Sequence, residues 1–209
     1  MKKIAILLSL VAGLLSPVLA QKDTRAGTVL DAMSAKYKAL GSYQTAFTYT
    51  SGKESYKGDV TVKATKFRLK LAGQEVFNDG QTLSTYVKES NEVNVQDYEE
   101  GTSGEFNPTT IYSIYKKGFS YKFLKEIKQG GRTLEVVELV PEKKKSQIAK
   151  LQISVDKADK SVRSWTITNK DGQVTTYVIN KFTPNIAVAD SYFAFDKSKY
   201  PGVEVVDLR

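Results

Sequence analysis

The stretch EVFNDGQTLSTYV, residues 75–87, reads as two short strands folded back on each other across Asn78-Asp79-Gly80. Asn, Asp and Gly tolerate the backbone angles of a tight hairpin, so the signal is a strong one. It leaves open what lies against the apolar side of the strands, the protein's own side chains or something the protein carries. Upstream, Val60 and Val62, then Phe67, Leu69 and Leu71, alternate with Thr61, Lys63, Arg68 and Lys70, the period of half-buried strands. Downstream the alternation returns in Leu151, Ile153 and Val155, in Trp165 and Ile167, and in Val174, Thr176 and Val178. Turn signals at Asp79-Gly80, Gly130-Gly131, Asp156 to Lys160 and Asp171-Gly172 separate these runs. The pattern predicts about ten strands in a meander, with connections too short for parallel crossovers and therefore antiparallel.

Helical spacing appears elsewhere. Leu30, Met33, Tyr37 and Leu40 recur every three to four residues, which predicts a helix from Asp23 or Thr24 to Gly41 with one apolar face. A second helix is expected over residues 107–118, where Asn107 is a good N-cap, Pro108 suits the first helical position and Gly118 suits a C-terminal stop. A short helical turn is expected around Ile186 to Asp190.

Residues 1–20 have the three-part layout of a secretory signal peptide: Lys2-Lys3, an apolar run from Ile4 to Leu15, then Val18-Leu19-Ala20. The run is shorter than the ~20 residues of a membrane span. Cleavage is expected after Ala20, and with Gln21 next and no cysteine in the chain, no thioether-linked lipid can be attached. The expectation is an exported, soluble protein whose residues 21–209 form a single domain held by burial and strand pairing, without disulfides. The formal charge of +8 falls by two when Lys2 and Lys3 leave, and its densest cluster, Lys143-Lys144-Lys145, reads as a solvated hairpin loop rather than a nucleic-acid site.

Without histidine or cysteine the chain lacks a Ser-His-Asp triad, a thiol nucleophile, and imidazole or thiolate metal ligands. A carboxylate pair such as Glu89 with Glu92 remains formally available to a glycosidase, but both fall at a turn between strands, where acidic residues are ordinarily solvated. No glycine-rich phosphate loop is present. No enzyme, metal or cofactor is expected. A large antiparallel sheet with one apolar face and few helices must instead close on itself, take helices inside its curve or hold a ligand, because apolar surface left wet costs roughly 25 cal/mol per Å². With the convex side in water and the helices on the concave side, the pattern leaves a filled interior and a guest-binding one equally open.

Several segments taken together resemble the LolA family, periplasmic carriers of outer-membrane lipoproteins. They are Val29-Leu30-Asp31 through Tyr43-Gln44-Thr45-Ala46-Phe47, Gly58-Asp59-Val60-Thr61-Val62-Lys63, and the hairpin Asn78-Asp79-Gly80-Gln81-Thr82-Leu83-Ser84-Thr85-Tyr86. Asn107-Pro108, Leu139-Val140-Pro141, Phe193-Ala194-Phe195 and Tyr200-Pro201-Gly202-Val203 through Asp207 follow in the family's order. The abundance of Tyr and Lys is most similar to members from the Bacteroidetes group. The resemblance implies an α+β, mainly β fold: an incomplete antiparallel β-barrel of about eleven strands with two or three helices lidding its concave face. It implies a monomeric periplasmic carrier that takes acylated lipoproteins from an inner-membrane ABC transporter to the outer membrane, where an acceptor receives them. The alternatives are a carrier of another periplasmic lipid or glycolipid, or an interaction module with a filled core.

On that resemblance, Phe67, Leu69 and Leu71 stand at apolar cavity positions, while Ile111, Ile114 and Tyr115 belong to the lid. Leu30, Met33 and Tyr37 of the first helix, with Phe47, Val60, Val62 and Leu83, complete the expected ligand-binding set. Two departures stand out. Better-known members read Val-Lys-Arg-Pro where this chain has Val62-Lys63-Ala64-Thr65, and that arginine latches the lid; here either Lys66 or Arg68 substitutes for it, or the lid closes by packing alone. Ser84 replaces the usual tryptophan, which is expected to make that part of the site smaller or more polar.

Overall fold

The computed structural model describes residues 23–99, 107–143 and 145–209, so the signal sequence expected over residues 1–20 and Lys144 lie outside the described residues. The helix α1 spans Thr24–Ala39, ending just short of the predicted Gly41. Asp23 caps it, one carboxylate oxygen accepting from the amides of Arg25 at 2.8 Å and Ala26 at 3.0 Å. The other oxygen accepts from the distant Phe123 N–H at 2.9 Å and so ties the helix start to the sheet. Ala26, Val29, Leu30, Met33 and Tyr37 share the buried face of α1.

One 12-stranded sheet carries the rest. The strands are β1 (Ser42–Ser51), β2 (Glu54–Lys63), β3 (Lys66–Leu71), β4 (Gln74–Asn78), β5 (Thr82–Val87) and β6 (Glu92–Asp97). After a crossing come β7 (Phe119–Gln129), β8 (Arg132–Pro141), β9 (Ile148–Asp156), β10 (Val162–Asn169), β11 (Val174–Pro184) and β12 (Glu204–Asp207). Their spatial order is β12-β6-β5-β4-β3-β2-β1-β11-β10-β9-β8-β7, two hairpin meanders joined where β1 pairs antiparallel with β11. The sheet is open, not closed into a barrel. It is not wholly antiparallel as predicted, because β12 runs parallel to β6, with Glu204 opposite Glu92. A parallel partner requires a long crossover, and the chain supplies one between Pro184 and Glu204.

This order of strands forces two crossings. From β6 at one end of the sheet the chain must reach β7 at the other, and from β11 in the middle it must return to flank β6. The first crossing carries a 3-10 turn, Ile111–Lys116, here called the lid, which packs with α1 on the inner face of the sheet. The second, residues 185–203, here called the strap, crosses the outer face. It carries 3-10 turns at Asp190–Phe193 and Lys197–Lys199, just beyond the turn predicted around Ile186 to Asp190. The lid is not the α-helix expected over residues 107–118. Its sequence, Ile-Tyr-Ser-Ile-Tyr, is rich in β-branched and aromatic residues of poor helix propensity and is too short to offset nucleation. Asn107 still organises its start, accepting from the Thr109 amide at 2.9 Å and donating to the Tyr98 hydroxyl at 2.7 Å.

Burial is graded across the inner face. Under α1, Val137, Leu139, Leu151, Ile153 and Val155 are fully buried, whereas Val60, Leu69, Val76 and Leu83 toward β5 are only partly so. The outer face departs from the expectation of a solvated convex side, since Phe77 and Val93 are buried there, Phe77 against the rings of Phe195 and Tyr200 of the strap, and Phe193 and Val203 of the strap are buried too. In β11 the phase also differs from the sequence reading. Val174 and Val178 are exposed at 46% and 41%, while Tyr177, Ile179 and Phe182 pack on the core. A register shift against β1 beside Phe47 lets residues three apart, Ile179 and Phe182, share one face.

One polar cluster closes the β9–β10 turn. Asp156, 1% exposed, receives Arg132 at 2.6 Å, Arg163 at 3.3 Å and the Ala158 amide at 2.9 Å. Burial pushes its pKa up, but the Arg132 hydrogen bond and the turn amides outweigh burial and hold it at about 2, below the ordinary 3.8. A carboxyl depressed in this way stabilises the fold above the ordinary value and loses that contribution as pH falls toward the depressed one, here worth about 2 kcal/mol. Asp156→Asn is therefore expected to lower Tm by about 5 °C at pH 7. The gap to wild type should close as thermal melts are taken from pH 4 down to 2.

Candidate functional site

Beneath the lid the inner face encloses a hollow of about 150 Å³. Its floor comes from β1 and its neighbours on both sides: Tyr43, Thr45 and Phe47, then Val60, Leu69 and Leu71, then Trp165, Ile167, Tyr177 and Ile179. Pro108, Ile111 and Tyr112 form its roof. The sheet order explains this mixture, since β11 and β10 lie beside β1 although they are remote in sequence.

Two further hollows adjoin the first. One, of about 420 Å³, shares Tyr43 and Tyr112 with it and is otherwise bordered by residues including Ser34, Tyr37, Lys38, Val62 and Ala64. The other, of about 410 Å³, shares Leu69, Leu71 and Tyr177 and opens past Tyr49, Tyr56 and Val76. Tyr112 partitions the central hollow from the first of these. Its ring stacks on Tyr37 with centroids 3.4 Å apart and lies 5.9 Å from Trp165. Burial pushes the Tyr112 phenol well up and that of Tyr37 up to about 12, so both stay neutral across physiological pH.

The lid is held by phenols. Tyr115 donates to Asp31 on α1 at 2.5 Å, and Tyr43 donates to the Pro108 carbonyl at 3.1 Å. The expected latch residues do neither. Alternation puts Lys66 and Arg68 on the outer face, where Lys66 pairs with Asp190 of the strap at 2.8 Å, as does Lys63 at 2.7 Å. Arg68 binds Glu75 at 2.6 Å between the rings of Phe77 and Tyr192. Both residues fasten the strap, and the assignment of either as a lid latch is corrected on that ground. Ala64, at the position of the family's arginine, borders the larger hollow together with Thr109, Ser113 and Lys116 of the lid crossing. Ser84 also lies on the outer face, 5% exposed and opposite Phe77 and Val95, so its small size makes room beside the strap and not in the hollow.

Of the sequence-predicted residues, Phe47, Val60, Leu69, Leu71 and Ile111 line the central hollow, while Tyr37 and Val62 line its neighbour. Leu30, Met33, Phe67 and Tyr115 are buried in the core, and Leu83 and Ile114 pack against it. Sequence reasoning did not find Thr45, Tyr112, Tyr177 or Ile179. It also missed the part played by Gly58, which pairs with Phe47 across β1 and β2. A glycine inside a strand is the signal for such a close approach. The carboxylates Glu89 and Glu92 lie apart from the hollow, Glu89 exposed in a turn and Glu92 accepting from Asn94.

A protein-family model described as outer membrane lipoprotein carrier protein LolA matches residues 39–196. No curated protein matches the chain by sequence. Among solved structures, an uncharacterized conserved protein from Thermus thermophilus is similar with a TM-score of 0.61 at 11% identity, over 88% of this chain and 99% of that one. The Pseudomonas aeruginosa MucA/MucB complex is similar with a TM-score of 0.52 at 16% identity, over 83% of this chain and 62% of that one. The Mycobacterium tuberculosis lipoprotein LppX is similar with a TM-score of 0.51 at 13% identity, over 80% of this chain and 100% of that one. At these identities the likeness to the solved structures is one of fold.

A Cβ on Gly58 would meet the Phe47 ring at 2.7 Å and the Lys70 carbonyl at 2.8 Å, so Gly58 is what lets Phe47 lie back from the hollow. Gly58→Ala is expected to cost about 2 kcal/mol, read as a fall in Tm of roughly 5 °C, with a change in Trp165 emission as the ring moves inward. Phe47→Leu, which removes the clashing ring atoms, should recover part of the loss in the double variant; no recovery would place the clash at the Lys70 carbonyl.

Proposed function

The chain belongs to the LolA family of outer membrane lipoprotein carrier proteins, and from that premise we propose that it carries the acyl chains of lipoproteins on the inner face of its sheet. In this reading it is an exported, periplasmic monomer of one domain over residues 21–209 that receives its cargo from an inner-membrane ABC transporter and gives it up at the outer membrane. It binds and releases without catalysis. The observation that carries the reading is an apolar hollow roofed by one short turn, with a larger hollow beyond Tyr112 on one side and another beyond Leu69, Leu71 and Tyr177 on the other.

The hollow under the lid, about 150 Å³, is smaller than the ~300 Å³ at which ligand sites begin, so cargo must displace Tyr112 and Ile111 to join it to the hollow beyond Tyr112, while the third adjoins across Leu69, Leu71 and Tyr177. Each methylene then buried stabilises the complex by ~0.8 kcal/mol, while incomplete enclosure keeps release within reach. The lid is suited to this motion, being a six-residue 3-10 turn whose polar ties to the rest of the fold include the Tyr115 and Tyr43 hydrogen bonds. A ligand that binds only the open form shifts the population toward it. Direction must come from the donor and acceptor, since no nucleotide site was found in the sequence.

The small closed volume is also the observation that favours an interaction module with a filled core. A carrier of another lipid or glycolipid would use the same hollows, and native mass spectrometry of the protein from its own compartment would identify the molecule. Leu69→Asp with Leu71→Asp places two charges on the wall of the hollow. The double variant is expected to keep the far-UV circular dichroism of the sheet and to lose uptake of a fluorescent fatty acid and of acylated lipoprotein. Unchanged uptake in either assay would count against the site, and the absence of saturable binding in wild type would favour the filled module.

A further inference from the structure

The central hollow contains a polar anomaly. Thr45 is 2% exposed and lines the hollow between Tyr43 and Phe47, yet its hydroxyl has no hydrogen-bond partner among the described residues. With the lid in place the oxygen itself is out of reach of the hollow, so the group keeps a desolvation penalty until displacement of the lid lets a guest bond to it. A lone water is a poor remedy, because a buried water needs two to four polar partners. The cross-strand neighbours of Thr45 are Val60 and Phe182, and the phenol of Tyr43 donates its proton to Pro108. Both adjoining hollows mix polar and apolar groups: Lys38, Ser42 and Ser113 stand beside Leu40 and Val62 on the Tyr112 side, and Glu54 and Gln74 beside Leu71 and Val76 on the Leu69 side. Thr45 belongs to the apolar hollow between the two.

We propose that the guest is an acyl ester or amide whose carbonyl oxygen accepts a hydrogen bond from the Thr45 hydroxyl. This rests on the reading of the hollow as a lipid site and adds a chemical choice to it. Burial alone ranks guests by hydrocarbon area. A hydroxyl fixed on a strand and otherwise unpaired favours a guest that brings an acceptor to that point.

Trp165, the chain's single tryptophan, lines the hollow and reports occupancy without a label. Its emission is followed while methyl decanoate or undecane, close in length, is added to wild type and to Thr45→Val, Thr45→Ala and Thr45→Ser. The quantity compared is the ratio of ester to alkane affinity, which cancels their different solubilities in water. Thr45→Val is expected to shift that ratio about fivefold toward the alkane. Thr45→Ala, which removes the hydroxyl without adding bulk, should shift it in the same direction, and Thr45→Ser should keep the wild-type ratio. An unchanged ratio in the folded Val or Ala variant overturns the role of Thr45 and leaves the carrier reading standing. A wild type that binds neither compound overturns both.

Discussion

One α-helix cannot cover this sheet. The 16 residues of α1 extend about 24 Å, whereas the 12 strands, spaced by about 4.8 Å, extend some 50 Å from edge to edge. The region under α1 becomes a dry core, and the inner surface of β2 to β4 is left with Val60, Leu69 and Val76 half-covered. Everything distinctive about the molecule follows from how the chain deals with that shortfall. The lid covers part of it with tyrosine and isoleucine, and the remainder is a set of hollows.

The same topology supplies the covers. Because consecutive meanders leave β6 and β7 at opposite ends of the sheet, the chain must traverse the full width once, and it does so on the inner side as the lid crossing. The return toward β6 uses the other side. The outer face is secured by charge and aromatic contacts, Lys63 and Lys66 on Asp190, and Arg68 between Phe77 and Tyr192. The inner crossing is secured through neutral phenols. The two covers thus differ in kind: one is pinned by ion pairs and by rings packed on the buried Phe77, the other by a few hydrogen bonds and stacked rings.

Much of this was legible in the sequence, and what was not has physical causes. Alternation identified the inward residues of β2, β3, β9 and β10 because in those strands one phase is apolar and the other polar. It failed in β11, where Val174 and Val178 compete with Tyr177 and Ile179, and a register shift changes the phase midway. It could not reveal the parallel β12 or the strap, since pairings between segments so far apart leave no local period. The lid's position was legible from Asn107 and Gly118, but its helix type was not. The latch assignment erred by parity: Lys66 and Arg68 are near Ala64 in sequence, but their side chains leave the sheet on the outer side. Thr45 went unnoticed because a threonine in a strand carries no signal until its hydroxyl is seen to lack a partner.

The parallel pairing of β12 with β6 joins residues that lie about 110 positions apart and therefore has a consequence for the order of assembly. In a chain that enters its folding compartment from the N-terminus, β1 to β6 precede β11 and β12, so the first half-sheet must wait with β1 unsatisfied along one rim and β6 along the other. Such a rim is a template for pairing with another chain. Docking of residues 204–207 replaces the six-residue rim of β6 with the four-residue rim of β12, so the exposed edge is longest before the final strand is in place.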